Sequence, residues 1–188
     1  MKALMEPLSE LGEFEELKKA VENGETPVAA TGCIDTQKSQ FIHGLGSGHT
    51  FRLIITYNEL RAKEMYEDYR LYDREVYYYP ARDLIFYSAD IHGQAIVKER
   101  LKIIKRIVEN QPTTIITTLD GGMDFCLPFV LYENKKILLK EADIIDLEKI
   151  KKDLVTLGYE NVSQVDNEGQ FAVRGGILDI FPLTEEQP

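Results

Sequence analysis

Tryptophan is absent from this 188-residue sequence, cysteine occurs twice and histidine three times. Cys33 and Cys126 lie far apart with no CxxC spacing, which excludes a disulfide framework and a zinc site and leaves reduced thiols as the expectation. His43, His49 and His92 are scattered, each without a metal-ligand spacing or a nucleophile motif nearby, so packing or surface roles are expected and no catalytic residue is indicated. Basic residues are in deficit, 22 Lys and Arg against 32 Asp and Glu, a formal charge of −10. That balance argues against a broad electropositive face for duplex DNA. No apolar run approaches the length of a membrane span. The start, "MKALMEPLSELGEFEELKKA", is broken by Pro7 and by acids, unlike a signal peptide. A soluble, cytoplasmic chain with no membrane partner is expected. Repeats and low-complexity stretches are missing too.

What is present is an alternation of helical and strand patterns. Leu11 to Val21 has helical spacing and stops at Asn23-Gly24. "PVAATG" (Pro27 to Gly32) reads as a short buried strand, followed by a helix over about Gln37 to His43. "FRLIIT" (Phe51 to Thr56) is β-branched, and Thr56-x-x-Glu59 has the spacing of a capping box opening a helix to about Leu71. "EVYYY" (Glu75 to Tyr79) ends at Pro80, and an irregular connection leads to the helix Gln94 to Asn110, with Val97, Leu101, Ile104 and Val108 on one stripe. "TTIITT" (Thr113 to Thr118) is a further strand. Strands alternating with helices predict a parallel sheet with helical layers, an α/β domain over residues 1 to about 119.

Asp120-Gly121-Gly122 breaks the rhythm. Beyond it come "KKILLK", a helix "DLEKIKKDLVTLGY" with Leu147, Ile150, Leu154 and Leu157 inward, then "NVSQV", a turn at "DNEGQ" and "FAVRGGILDIFP". Antiparallel strands joined by a short turn predict a small α+β unit over 120–188, cut off at Pro188 where a sheet would usually continue.

Two glycine-bearing stretches invite a phosphate-loop reading. "GLGSGHT" (Gly44 to Thr50) is wired helix, loop, strand, so its amides face no helix N-terminus, and a plain connector is predicted. "GCIDTQKS" (Gly32 to Ser39) matches G-x-x-x-x-G-K-[ST] except that Gln37 replaces the second glycine. Gln37 adds a side chain where close backbone approach is needed, while Lys38 and Ser39 survive. A degenerate nucleotide site at Gly32, Gln37, Lys38 and Ser39 is the reading, with a nucleotide-binding, ATP-hydrolysing helicase-type domain as the alternative. The strand at Thr113 ends in Asp120-Gly121, not paired acids, so no metal-holding partner for Lys38 is evident. Lys98, Lys102, Lys105 and Arg106 share the face opposite the apolar stripe, a solvated helix face or a nucleic-acid contact.

In "FAVRGG", Phe171 and Val173 alternate with Ala172 and Arg174, so an inward apolar pair turns Arg174 outward. Gly175 and Gly176 then bend or bulge the strand and leave the arginine on a bare ridge, where its planar fork suits a carboxylate on a partner. The run "GQFAVRGGILDIFP", with "LGYE" before it, resembles the N-terminal UvrB-like region of the bacterial transcription-repair coupling factor family. "TYNELRAKEMYEDYRLYD" and "YYYPARDLIFYSADIHGQAIVKERL" extend the resemblance over nearly the whole chain. Gln37 in the phosphate loop, and the short stretch between Pro80 and Gln94, favour the coupling factor over UvrB.

The resemblance implies a RecA-like first domain with a degenerate phosphate loop and a UvrB-domain-2-like second domain that binds UvrA. The contact surface is carried over to Arg174, with Gly175 and Phe171 beside it; two further UvrB arginines are replaced here by Asn161 and Ala172. It also implies a fragment without cofactor or catalysis, recruiting excision repair to stalled RNA polymerase. ATP, Mg²⁺ and DNA would belong to the motor and polymerase-binding parts of the same polypeptide.

Overall fold

A computed structural model describes residues 2–81, 90–124, 126, 128–140 and 143–185. It divides into two compact units, Met1–Tyr87 with Lys105–Asp124, and Ser88–Ile104 with Phe125–Pro188.

The first unit begins with α1 (Lys2–Ser9), α2 (Gly12–Glu22) and α3 (Asp35–Gly46). Leu8 and Phe14 are buried, and the Phe14 ring meets Phe41 edge-on with centroids 5.3 Å apart. Close neighbours explain two of the three glycines of "GLGSGHT". A Cβ on Gly44 would come within 2.6 Å of the Phe14 ring, and one on Gly46 within 2.8 Å of Arg52 Cδ. The stretch is the last turn of α3 and the loop into β1 (Phe51–Thr56), a connector in which Gly44 and Gly46 make room for neighbours.

The remaining elements of this unit are α4 (Glu59–Tyr69), β2 (Val76–Tyr78), the end of α5 (Asp90–Val108), β3 (Thr113–Thr118) and α6 (Leu119–Met123). Strand order is β1-β3-β2, all parallel, with Phe51 opposite Thr113 and Val76 opposite Thr114. Placing β3 in the middle accounts for its nearly continuous burial. Ile54, Val76 and Ile116 project from one face of the sheet onto Ala62, Met65 and Tyr69 of α4. This is an α/β architecture with a three-stranded parallel sheet.

Three expectations for this unit need correction. Residues 27–32 form no strand and are mostly exposed. Pro27 offers no N–H to a ladder, Gly32 sits at φ +85°, outside the β region, and β1 pairs only with β3. Helix α4 is capped by Asn58, whose side chain accepts from Arg61 N at 2.8 Å. Thr56 is still paired with Thr118 in the ladder, too early to act as the cap. Helix α5 starts at Asp90, and its buried side carries Arg100, Ile103 and Ile104 while Val97 is exposed. The connection before it, residues 82–89, lies outside the described residues.

A buried polar network ties the first unit together. Asp73 receives Arg52 Nη2 at 3.0 Å on Oδ2, Thr114 Oγ1 at 2.6 Å on the same oxygen, and the Glu75 amide at 2.9 Å on Oδ1. His43 of α3 stacks beside it, its ring centroid 5.8 Å from that of Tyr69 and 5.9 Å from that of Tyr72. Burial, then the Arg52 cation, lower the His43 pKa below its ordinary 6.5, with Asp73 opposing. A histidine whose folded pKa is depressed binds its proton first in the unfolded chain. Its contribution is therefore complete above the unfolded pKa and declines as pH falls from 6.5 towards the lower folded value. Amide exchange in β3 is expected to show stability falling between about pH 7 and 5, with a slope of at most about 1.4 kcal/mol per pH unit from this residue. His43→Gln should flatten that slope; an unchanged slope in the variant would assign the pH dependence to other groups.

The second unit comprises the first part of α5, α7 (Phe129–Asn134), α8 (Leu147–Thr156), β4 (Glu160–Asn161), β5 (Gln170–Arg174) and β6 (Ile177–Phe181). Asp146 caps α8, accepting from Glu148 N at 3.0 Å and Lys149 N at 3.2 Å. Ile150 and Leu154 face Phe171, joined by Val173, Leu178, Ile180, Ile137 and Tyr159. The strand order is β4-β5-β6. The antiparallel turn expected at "DNEGQ" lies elsewhere: β4 runs parallel to β5, and the hairpin is β5–β6.

Candidate partner-binding site

The hairpin turn is Gly175-Gly176, with φ of +56° and +93°. A two-residue turn with both residues at positive φ matches the twist of paired strands, and glycine enters that region without a Cβ penalty. So the two glycines reverse the chain, where the sequence suggested a bulge in one continuing strand. The register follows: Arg174 opposite Ile177, Ala172 opposite Asp179, and Phe171 opposite Ile180.

Alternation then separates two faces. Phe171, Val173, Leu178 and Ile180 turn onto α8, and Arg174, Ile177 and Asp179 turn away. Phe171 is fully buried, so it reaches no partner and instead anchors β5 beneath the arginine, a correction to its place on the contact surface. Arg174 is exposed at the tip, its Nη2 2.8 Å from Asp179 Oδ2, with side-chain exposures of 61% and 39%. Ile177 beside it is 65% exposed. An open cleft of about 470 Å³ adjoins the pair, lined by Leu139, Gln164, Val165, Leu178 and Ile180. Asn161 is exposed on β4, and Ala172 is fully buried.

Sequence reasoning missed Asp179. The signal was available: Gly-Gly between two alternating strands reads as a two-residue hairpin loop, and that register brings Arg174 and Asp179 to one face as a diagonal pair.

The structure gathers Gln37, Lys38 and Ser39 on the first turns of α3, with Gly32 in the exposed segment before it. Lys38 Nζ is 2.7 Å from Asp35 Oδ1, and Arg61 Nη2 is 3.6 Å from the same oxygen. The Lys38 hydrogen bond, then the Arg61 charge, hold the Asp35 carboxyl below its ordinary range. Gln37 Oε1 accepts from Ile34 N at 3.4 Å, and Ser39 is buried within the unit. The lysine ammonium therefore faces an acid of its own chain, and the strand that would lead into a phosphate loop is missing.

The cationic row on α5 is engaged as well. Lys98 pairs with Glu168, Lys102 with Glu99 at 3.7 Å, and Arg106 with Glu75 while lying 4.8 Å from the centre of the Tyr77 ring. Lys105 is exposed. Among the described residues no group of three or more His, Cys, Asp and Glu is placed to hold a metal ion, and no helix is long and apolar enough to cross a membrane.

Residues 137–188, which carry α8 and the hairpin, match the family described as the UvrB interaction domain. The class of the second unit is thereby defined. The chain is 28% identical over 179 residues to a transcription-repair-coupling factor of Staphylococcus epidermidis, covering 94% of this chain and 15% of that protein. It is 32% identical over 133 residues to that of Staphylococcus haemolyticus, covering 70% of this chain and 11% of the relative. For the Bacillus subtilis protein the figures are 28% over 137 residues, 72% and 12%. The chain belongs to the transcription-repair coupling factor family, as its UvrB-like N-terminal region. It spans 15% or less of the length of these relatives.

Proposed function

We propose that this chain is a non-catalytic adaptor whose second unit binds UvrA through the β5–β6 hairpin and so brings nucleotide excision repair to stalled RNA polymerase. The observation that carries this is an arginine held at the exposed tip of a glycine-turned hairpin, inside the region matched to the UvrB interaction domain. A guanidinium on a stiff, protruding turn offers a planar fork to a carboxylate at little ordering cost. Gly175 belongs to the same surface by keeping the tip free of side-chain bulk.

The first unit is read as a RecA-like scaffold with a degenerate phosphate loop at Lys38, supported by the Lys38–Asp35 pair that occupies the surviving cation. ATP and Mg²⁺ chemistry, DNA translocation and polymerase contact are assigned to other parts of the same cytoplasmic polypeptide. DNA contact through Lys98, Lys102, Lys105 and Arg106 is disfavoured by the ion pairs of Lys98, Lys102 and Arg106.

Calorimetric titration against purified UvrA tests the reading. Wild type is expected to bind, and Arg174→Ala to lose about 1–4 kcal/mol as an interface hot spot, with an unchanged far-UV spectrum. Binding that is indifferent to Arg174 would move the site away from the hairpin, and no binding by either chain would remove the adaptor assignment.

A further inference from the structure

We propose that Gln170 is a positioning residue for the partner-binding face: its side-chain amide pins the crossover loop 162–169 on the side of the sheet that carries Arg174, so that loop and arginine meet the partner as one preordered surface. The identity of that partner rests on the UvrA reading above.

The need for a pin comes from the topology. β4 and β5 run parallel, and residues 162–169 join them. Parallel neighbours ordinarily need a crossover of about a dozen residues or more, usually carrying a helix. A connection this short has no helix of its own to satisfy its backbone amides, so other groups take that task. Glu160 N donates to Gly169 O at 2.8 Å and Gly169 N to Phe181 O at 2.8 Å, which fixes the returning end of the loop. Glu168 is tied to Lys98 of α5. The middle is held by Gln170, whose Oε1 accepts from Asp166 N at 3.2 Å and Asn167 N at 3.0 Å while its Nε2 donates to Glu160 Oε2 at 3.2 Å. Two donors on one side and a carboxylate on the other admit a single orientation of the amide, so the three bonds form together.

The placement of the pin links it to recognition. Gln170, Ala172 and Arg174 alternate onto one face of β5, opposite the face that Phe171 and Val173 turn onto α8. The loop that Gln170 holds there carries the exposed residues Gln164, Asp166 and Asn167. A polar loop that must be ordered on binding subtracts from affinity, and one ordered beforehand does not. Gln170 stands outside the cluster of Ile150, Leu154 and Phe171, so the fold of the unit does not depend on its amide.

Two variants separate positioning from stability. Gln170→Met keeps the length and removes the amide; Gln170→Glu keeps an acceptor for both backbone N–H groups. In Gln170→Met, exchange of the Asp166 and Asn167 amides is expected to quicken about tenfold and calorimetric UvrA affinity to fall about three- to tenfold, with thermal midpoint and β5 protection unchanged. Gln170→Glu should restore slow exchange and bring affinity to within about twofold of wild type. Unaltered Asp166 and Asn167 exchange in Gln170→Met overturns the pin, and so does a Gln170→Glu that behaves like Gln170→Met. Faster exchange with unchanged affinity overturns the positioning role and leaves the adaptor reading standing. A midpoint that falls together with affinity makes Gln170 a stability residue and overturns the proposal as well. Failure of wild type itself to bind UvrA removes the adaptor reading and the positioning role with it.

Discussion

Phe171→Ala is expected to destabilise the second unit by about 3–5 kcal/mol and to weaken the proposed UvrA binding in step with the fraction unfolded, without touching the partner. The side chain is completely buried and packs on Ile150 and Leu154 of α8, with Val173, Leu178 and Ile180 around it. Truncation removes the whole aromatic ring from this small core and leaves a cavity that the hairpin cannot close without shifting β5. A small domain holds only some 5–15 kcal/mol in total, towards the lower end when the chain segment is short, so a loss of this size unfolds a measurable fraction. Amide protection in β5 and β6 should collapse while that in β3 persists. Phe171→Leu keeps most of the volume and is expected to cost under about 1.5 kcal/mol after repacking and to retain binding. If Phe171→Ala kept full β5 protection yet lost binding, the ring would be a contact residue after all and the burial would be overturned.

The second large effect lies in the first unit. Asp73→Ala should cost about 3–5 kcal/mol, because it strips three donors of their acceptor at once. Arg52, with a side chain only 13% exposed, is left as an uncompensated charge, and the Thr114 hydroxyl and Glu75 amide lose their bonds. The energy at stake is chiefly the penalty of leaving a buried charge alone; the net worth of the pair is smaller. The comparison with Asp35→Ala is informative. Asp35 is 65% exposed, and although it meets both Lys38 and Arg61, removing it is expected to leave the thermal midpoint unchanged. Thermal unfolding of the two variants side by side checks both statements, and equal midpoints would show that the Asp73 network is solvated.

Much of both units was legible because the signals are local. Thr113–Thr118 and Glu75–Tyr79 announce themselves by β-branched and aromatic runs, and α8 by its apolar spacing. Pro27–Gly32 misled for the opposite reason. Its apolar run has strand composition, but a strand exists only if a neighbour completes the ladder, and neighbours are a property of the whole sheet. The same gap explains the hairpin. Alternation placed Phe171 inward and Arg174 outward, but the partner of Arg174 depends on where the chain reverses, and moving that reversal from "DNEGQ" to Gly175-Gly176 is what brings Asp179 alongside.

By itself the sequence determined the alternating architecture, the family kinship carried by "GQFAVRGGILDIFP", the surviving Lys38 without its second glycine, and the outward turn of Arg174, since periodicity and residue identity act within a few residues of chain. Only the tertiary structure decided that Lys38 is held by Asp35, that Phe171 is core and not surface, that Arg52 and Asp73 share a buried network, and that Arg174 is already paired with Asp179. These depend on which distant groups meet and how much water they exclude, and burial and ion pairing follow from the packing of the whole unit.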